Sequence, residues 1–307
     1  MRIVESASAV NPDRRKICLA IGFFDGVHLG HQQIIRHTLE DARQHEALGL
    51  VVTFDRHPST VVAPSRVPPL IYSLPQKVRA IQALGVEALL LLRFDKAFSL
   101  QSGEEFVRAL AGGLGPIRGI SVGANFVFGH KRSGNVELLK QLGKALNFSV
   151  HGMSALALDG RTVSSTRIRE VIARGNLNAA SQMLGRAYSI AGKVVRGDGL
   201  GRQLGFPTAN LDVGGLALPP HGVYAVHAEA AGQTHRAVLN IGLRPTLRNP
   251  RPELRVEAHL LDFDGDLYDR EVEIVFAEKL RDEKQFASLK ELREHIAHDI
   301  LDAQMRF

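Results

Sequence analysis

The hydrophobic period of the chain changes near residue 185, and that change limits what it can fold into. Up to that point short apolar runs alternate with amphipathic stretches. Runs at 17–21, 48–54, 88–94, 117–123 and 147–152 are rich in Leu, Ile and Val and read as buried strands. Patterns at 32–45, 75–84, 103–111 and 136–146 read as helices. Alternating strands and helices predict a parallel α/β sheet. Two more helical stretches, 165–174 and 178–184, flank Gly175 and close this half. From Tyr188 the chain becomes a series of short strands, at 188–195, 223–230, 235–241, 254–261 and 272–276, with Gly, Pro and Asp at the turns. Serial strands of this kind predict an all-β barrel. Phe286, Leu289, Ile296 and Ile300 recur with helical spacing and predict one terminal helix. The expected domains are therefore 1–185 and 186–307.

Composition narrows the function. With 307 residues, 45% of them hydrophobic and 23% charged, the chain can build two ordinary cores. No apolar run has the length of a membrane-spanning helix. The first 15 residues lack the apolar centre of a signal peptide. The single cysteine, Cys18, lies in a strand pattern and cannot form an internal disulfide. A reducing, cytoplasmic setting and an inert buried thiol are expected. The net charge of +6 is scattered, and aromatics are only 6% with no Trp. That argues against a base-stacking nucleic-acid platform. It fits small phosphorylated ligands, or simply a basic surface.

Chemistry concentrates in a few segments. Gly22-Phe23-Phe24-Asp25-Gly26-Val27-His28-Leu29-Gly30-His31 sits where the first strand hands over to a helix. Glycines 26 and 30 allow close backbone approach. Free N–H groups at a helix start attract phosphate, and imidazoles can donate to charge that develops during transfer. Without further context this is a strand–turn–helix with surface histidines. Ser164-Ser165-Thr166-Arg167-Ile168-Arg169 opens a helix; on its own it reads first as an N-cap, and with Arg161 nearby and the upstream histidines as a phosphate cradle. Gly123 to Gly129, with Asn125, and His57-Pro58 follow strands and could be plain turns. Gly199 to Leu211 is glycine-rich but carries neither a P-loop nor a dinucleotide fingerprint. In 254–261, alternation puts Arg255, Glu257 and His259 on one face and Leu254, Val256, Ala258 and Leu260 on the other.

Taken together these segments resemble a known family. F-D-G-x-H-x-G-H at 24–31 resembles the signature of nucleotidyltransferases that attack the α-phosphate of ATP. S-S-T-R-I-R at 164–169 resembles their second phosphate-binding motif. G-F-P-T-A-N at 205–210 and V-E-A-H-L-L-D-F at 256–263 resemble segments of riboflavin kinases. In this order they resemble the prokaryotic bifunctional FAD synthetases, over nearly the whole chain. The resemblance implies a Rossmann-like nucleotidyltransferase domain followed by a six-stranded antiparallel kinase barrel. It implies that riboflavin is phosphorylated to FMN with ATP, and that FMN is then adenylylated with a second ATP to FAD.

The same resemblance suggests roles for individual residues. His28 and His31 would act at the α-phosphate and Glu257 as the kinase base. Gly22, Phe24, Asp25, Gly30, Ser165, Thr166, Arg167, Gly205 and Pro207 would bind ATP or its phosphates. Asn125 and Arg161 would contact the flavin, and Thr208 and Asn210 would hold Mg²⁺. Phe23 stands where Asn is common in the family, and Asn125 and Val127 where Asp and Arg are common, which bears on flavin contact. Other readings are a transferase acting on a pantetheine or nicotinamide nucleotide, and a non-catalytic flavin- or nucleic-acid-binding protein. A tRNA synthetase also uses H-x-G-H, but K-M-S-K-S is missing. Oligomeric state is left open. Neither a nucleic-acid nor a membrane partner is expected.

Overall fold

A computed structural model describes the chain apart from Arg14, Leu247 and Arg248; of the other residues in 244–253 only the backbone is described. By compactness the chain divides into two units. The first comprises Met1–Leu70 with Leu74–Ser165, the second Ile71–Ser73 with Thr166–Phe307.

The first unit is built on a parallel sheet of six strands: β1 (Arg2–Val4), β2 (Ile17–Ile21), β3 (Leu48–Phe54), β4 (Ala88–Leu92), β5 (Ile117–Gly123) and β6 (Ser149–Met153). Their order across the sheet is β1-β4-β3-β2-β5-β6. Every residue of β2 and β3 is buried, as expected of strands covered on both faces. Helices α1 (Leu29–Gln44), α2 (Leu74–Gln82), α3 (Gly103–Leu114) and α4 (Val136–Leu146) lie between the strands in sequence. Two apolar cores form. One joins Leu19, Ile21, Leu50 and Val52 to Phe106, Leu110 and Leu139. The other joins Ala20, Val51 and Leu89 to Ile34, Ile35 and Ile81. The chain leaves β2 toward β3 on one side and returns to β5 on the other. The carboxyl end of β2 is thus the topological switch point, where open α/β sheets bind ligands.

Local chemistry sets the boundaries. β6 begins at Ser149 rather than 147 because Asn147 is the left-handed C-cap of α4, with φ 59°. α1 begins at Leu29 rather than 32, because the His28 side chain caps it. β1, three residues on the sheet edge, was too short to show a period.

The second unit opens with α5 (Ser165–Ala173, its first residue shared with the other unit) and α6 (Leu177–Leu184). A closed antiparallel barrel comes next: β7 (Ser189–Val195), β8 (Ala209–Asp212), β9 (Gly222–Ala230), β10 (Gln233–Thr246), β11 (Asn249–Leu260) and β12 (Glu271–Arg281), in the order β7-β8-β11-β10-β9-β12. A one-turn helix, α7 (Leu200–Gln203), interrupts the chain between β7 and β8, and α8 (Leu289–Gln304) ends it. Ser288 caps α8 by accepting from the Glu291 N–H at 3.2 Å. The stretch 209–212, at the end of the glycine-rich segment, is the barrel strand that the hydrophobic pattern does not show. The expected apolar face of β11 holds for Val256, Ala258 and Leu260. Leu254, however, is 44% exposed, and its strand partner Leu243 is exposed as well.

The division between compact units falls upstream of residue 185 because α6 and the residues beside it contact other residues of the second unit. The Tyr188 N–H donates to Ser181 Oγ at 3.0 Å, Arg186 Nε donates to Tyr72 Oη at 2.9 Å, and a Cβ on Gly175 would touch Pro220.

Candidate functional site

In the first unit the turn between β2 and α1 has unusual backbone. Phe24, Gly26 and Val27 all have positive φ, at 54°, 75° and 41°. Gly26 tolerates this; a β-branched residue such as Val27 does so only under constraint. Phe24 and Asp25 are buried beneath the turn, at 2% and 3% exposure, so what either offers a ligand is backbone. His28 is the N-cap of α1 and His31 stands in its first turn. The His31 N–H donates to His28 Nδ1 at 3.4 Å. With Nδ1 accepting, Nε2 is the nitrogen that carries the hydrogen of a neutral His28 ring. The two rings stack with centroids 3.6 Å apart. Burial, aided by the nearby charges of His28 and Lys77, holds His31 well below its ordinary pKa. Its Nδ1 is buried without a protein partner. Two stacked imidazoles at a helix N-terminus offer chemistry suited to an anion such as a phosphate that gains charge. A Cβ on Gly30 would press on the His28 ring at 3.2 Å, so this glycine makes room for the histidine.

Ser165 belongs to the same arrangement, donating from Oγ to Asp25 O at 3.1 Å. Thr166, exposed, and Arg167, half-buried, continue the helix that Ser165 opens. Gly22 packs on the Phe24 ring. Asn125 lies exposed in the turn after β5. Arg161 is exposed on a two-strand ribbon of 157–158 and 161–162.

Sequence reasoning missed an aromatic cavity of about 540 Å³ in this unit, lined by Phe54, Phe94, Phe98, Phe106, Phe126 and Phe128, with Phe23 beside it and Lys96, His130, Lys131 and Arg132 among its polar walls. Phe126 and Phe128 stack at 5.1 Å, and Phe54 meets Phe94 and Phe98 edge-on at 5.6 Å. Phe residues spaced along 94–106 and 126–128 were the available signal. Such a slot suits a flat aromatic ligand with an anionic tail. Val127, half exposed, lines it.

The barrel carries a second cavity of about 540 Å³, with walls from Thr208, Asn240, Arg255, Glu257, His259 and Phe286 among others. Strand register fixes two of its polar groups, Asn240 and Glu257, and pairs Glu257 with Asn210, which is not part of the wall. Asn210 on β8 stands opposite Glu257 on β11, and Glu257 stands opposite Asn240 on β10. Asn240 was not anticipated. Thr208 lies just before β8 and Asn210 within it. The Asn210 Oδ1 is buried without a protein partner. An orphaned amide oxygen on the residue paired with a carboxylate-bearing residue has the donor chemistry of a hard divalent cation site. His259 Nδ1 donates to Pro207 O at 2.7 Å and so ties β11 to the segment before Thr208. A Cβ on Gly201 would meet Phe206 O at 2.5 Å and Thr208 Oγ1 at 2.9 Å, which is why the glycine-rich loop can close on this site. Gly205 takes φ +91°. α8 is anchored here by Arg281, whose Nε and Nη2 bind the two carboxylate oxygens of Asp299, both at 2.8 Å.

Comparison with known proteins gives two consecutive matches. A family model described as FAD synthetase covers residues 10–167, and one described as riboflavin kinase covers 184–307. A bifunctional riboflavin kinase/FMN adenylyltransferase of Pseudomonas fluorescens is 38% identical over 305 residues, spanning 99% of this chain and 97% of that protein. The protein of the same name from Escherichia coli K12 is 37% identical over 290 residues, 94% of this chain and 92% of its own length. A crystal structure described as a macrolide-efflux protein from Streptococcus pneumoniae superposes with a TM-score of 0.82 at 28% identity, covering 98% of both chains. That description is of the streptococcal protein; among the described residues here no helix is long and apolar enough to cross a membrane. Two family models matched in order, with relatives 38% and 37% identical over nearly the whole chain, make this chain a member of the bifunctional riboflavin kinase/FMN adenylyltransferase family of transferases.

Proposed function

We propose that this chain makes FAD from riboflavin in two ATP-dependent steps, each half performing one, with functional domains 1–185 and 186–307. The observation that carries the reading is the pair of polar constellations: stacked histidines at a helix N-terminus, and a carboxylate facing an orphaned amide oxygen.

In the barrel, Glu257 accepts the proton of the ribityl hydroxyl as that oxygen attacks the γ-phosphorus of ATP; FMN forms and ADP leaves. Asn210 and Thr208 are the residues that would hold Mg²⁺, which when bound neutralises phosphate charge. Gly205 and Pro207 line the ATP phosphates. In the first domain a phosphate oxygen of FMN attacks the α-phosphorus of ATP and pyrophosphate leaves. His28 and His31 donate hydrogen bonds to the α-phosphate as its charge grows. Gly22, Phe24, Asp25 and Gly30 shape the turn that receives the nucleotide, while Ser165, Thr166 and Arg167 hold the departing phosphates. The aromatic cavity takes the isoalloxazine ring, with Asn125 and Arg161 as further flavin contacts. The chain works in the cytoplasm on small molecules, with neither a nucleic-acid nor a membrane partner.

Incubation with riboflavin and Mg-ATP, with FMN and FAD separated by chromatography, tests this. FMN should appear first and FAD should follow. A folded chain that turns over neither flavin refutes the proposal.

A further inference from the structure

Lys77 is a buried cation that none of the motifs explains. It lies on α2, 3% exposed, next to Val78 and four residues before Ile81 of the core. Its Nζ donates to Phe54 O at 2.7 Å and to Phe23 O at 3.3 Å, and stands 4.3 Å from the centre of the Phe23 ring. Phe54 ends β3, and Phe23 lies just past the end of β2. One ammonium therefore joins the carboxyl ends of two adjacent strands at the switch point. Thr53 Oγ1 donates to the same Phe23 carbonyl at 3.0 Å. Burial pushes Lys77 down to about 8, against the opposing pull of the Asp25 and Asp55 carboxylates. A cation is kept in such surroundings only when hydrogen bonds compensate it.

Downstream of Phe23 the carbonyls of the turn are taken in the same way. Phe24 O accepts from the Val27 N–H, Asp25 O from Ser165 Oγ and Val27 O from Gln32 Nε2. Backbone in sparsely populated conformations persists where its surroundings over-determine it. Lys77 and Thr53 fix the entry to the turn, and Gln32 fixes its exit, one residue before His28.

We infer that Lys77 is a positioning residue for adenylyl transfer: by holding the Phe23 carbonyl against the end of β3 it sets the backbone that aims His28 and His31. The inference rests on the assignment of adenylyl transfer to those histidines. Lys77 acts through the main chain and reads as a split between kcat and KM.

The test uses the full-length protein. Lys77→Met, Lys77→Gln and His28→Ala are assayed for FAD formation from FMN and, in the same preparations, for riboflavin phosphorylation. Lys77→Met should lower kcat for adenylyl transfer roughly 10²-fold, the scale of a small misplacement of reacting groups. KM for FMN and Mg-ATP should stay within about threefold, as for a loss confined to the transition state. Riboflavin phosphorylation should be unchanged. Lys77→Gln keeps a donor for one carbonyl and should recover about tenfold of the loss. A Lys77→Met enzyme with parental kcat beside a crippled His28→Ala enzyme overturns the positioning role while the histidine assignment stands. Full adenylyl transfer in His28→Ala instead overturns the assignment itself. A Lys77→Met loss carried by KM alone also overturns the proposal. Should Lys77→Met fail to fold, Lys77→Gln and Thr53→Val decide: both should lose kcat, and parental kcat in both refutes the idea.

Discussion

The two polar constellations are held in opposite ways. In the barrel, Asn210, Glu257 and Asn240 fall on neighbouring strands at one level, so ladder pairing alone sets their spacing. At the end of β2, by contrast, the histidines come after a turn with three positive φ values. Hydrogen bonds from Thr53, Lys77, Gln32 and Ser165 hold that turn, and these residues are far apart in sequence. The barrel site is a product of regular secondary structure. The histidine site is a product of tertiary tethers. The first should lose function mainly when the reacting groups change, the second also when a remote tether is cut.

Glu257→Gln breaks the comparison on the barrel side with the largest effect. The amide is nearly the same shape but cannot take a proton, and loss of a general base costs roughly 10²–10⁴ in rate. Riboflavin phosphorylation at saturating flavin and Mg-ATP should fall by that much, with FAD formation from supplied FMN intact. A kcat within a few-fold of the parent would leave Glu257 as an ordinary strand carboxylate.

His28→Ala and His31→Ala are the counterpart, each expected to cost about 10²–10³ in FAD formation from FMN while riboflavin phosphorylation survives. Quench-flow measurement of FAD on pre-bound FMN would separate this chemical loss from any change in flavin binding.

Asp299→Ala asks whether the barrel site has a tether of its own. It strips the partner from Arg281 and should destabilise the second unit by about 3 kcal/mol. Calorimetry should show a lowered transition, accompanied by weakened riboflavin phosphorylation, because α8 forms part of the cavity wall. An unshifted transition would mean that apolar packing alone seats the helix.

The smallest effect is a pH dependence that sharpens the contrast. Lys77 titrates at about 8 in the folded chain, against an ordinary value of 10.5. As pH rises through 8 the ammonium is lost and its two bonds weaken, so adenylyl transfer should decline by about tenfold, on the scale of one net hydrogen bond. Beside Asp25, two groups face Lys77: desolvation pushes Asp55 up but its bonds with Arg56 and the Phe94 N–H bring it below its ordinary range, and His31 is held neutral by burial. Neither therefore titrates near pH 8. Stability moves the other way. Between pH 8 and 10.5 the unfolded chain binds the proton that the folded chain has released, so the folded state gains as pH rises. Kinetics and denaturation measured over roughly pH 7 to 10 should show activity falling while this contribution to stability grows. Parallel changes would mean that Lys77 does not carry the alkaline limb.

Much of this was legible in the sequence, and what escaped has a common cause. The strand spans Ile17–Ile21, Leu48–Phe54 and Ile117–Gly123 match expectation because continuous apolar runs have few other uses. The alternation in β11 put Glu257 on the polar face. β8 was missed because four residues after a glycine-rich loop show no period of their own; their strand character comes from pairing with β7 and β11. The start of α1 was misplaced because an imidazole does the work usually given to Ser, Thr, Asp or Asn. Lys77 was invisible because an amphipathic helix pattern treats every lysine as a surface residue. Its burial depends on two carbonyls that only the folded sheet brings together.

Cys18 lies at the middle of the sheet, 1% exposed, its thiol pushed up to about 12 chiefly by burial and by the bond it donates to Asp41 at 3.2 Å. A maleimide or disulfide reagent can reach it only when β2 and α1 separate. Since it is the one cysteine among 307 residues, its labelling rate would clock openings of the nucleotidyltransferase sheet and remain silent to breathing of the barrel. The chain thus carries a built-in reporter of opening in one half of a two-reaction enzyme, with the other half left dark.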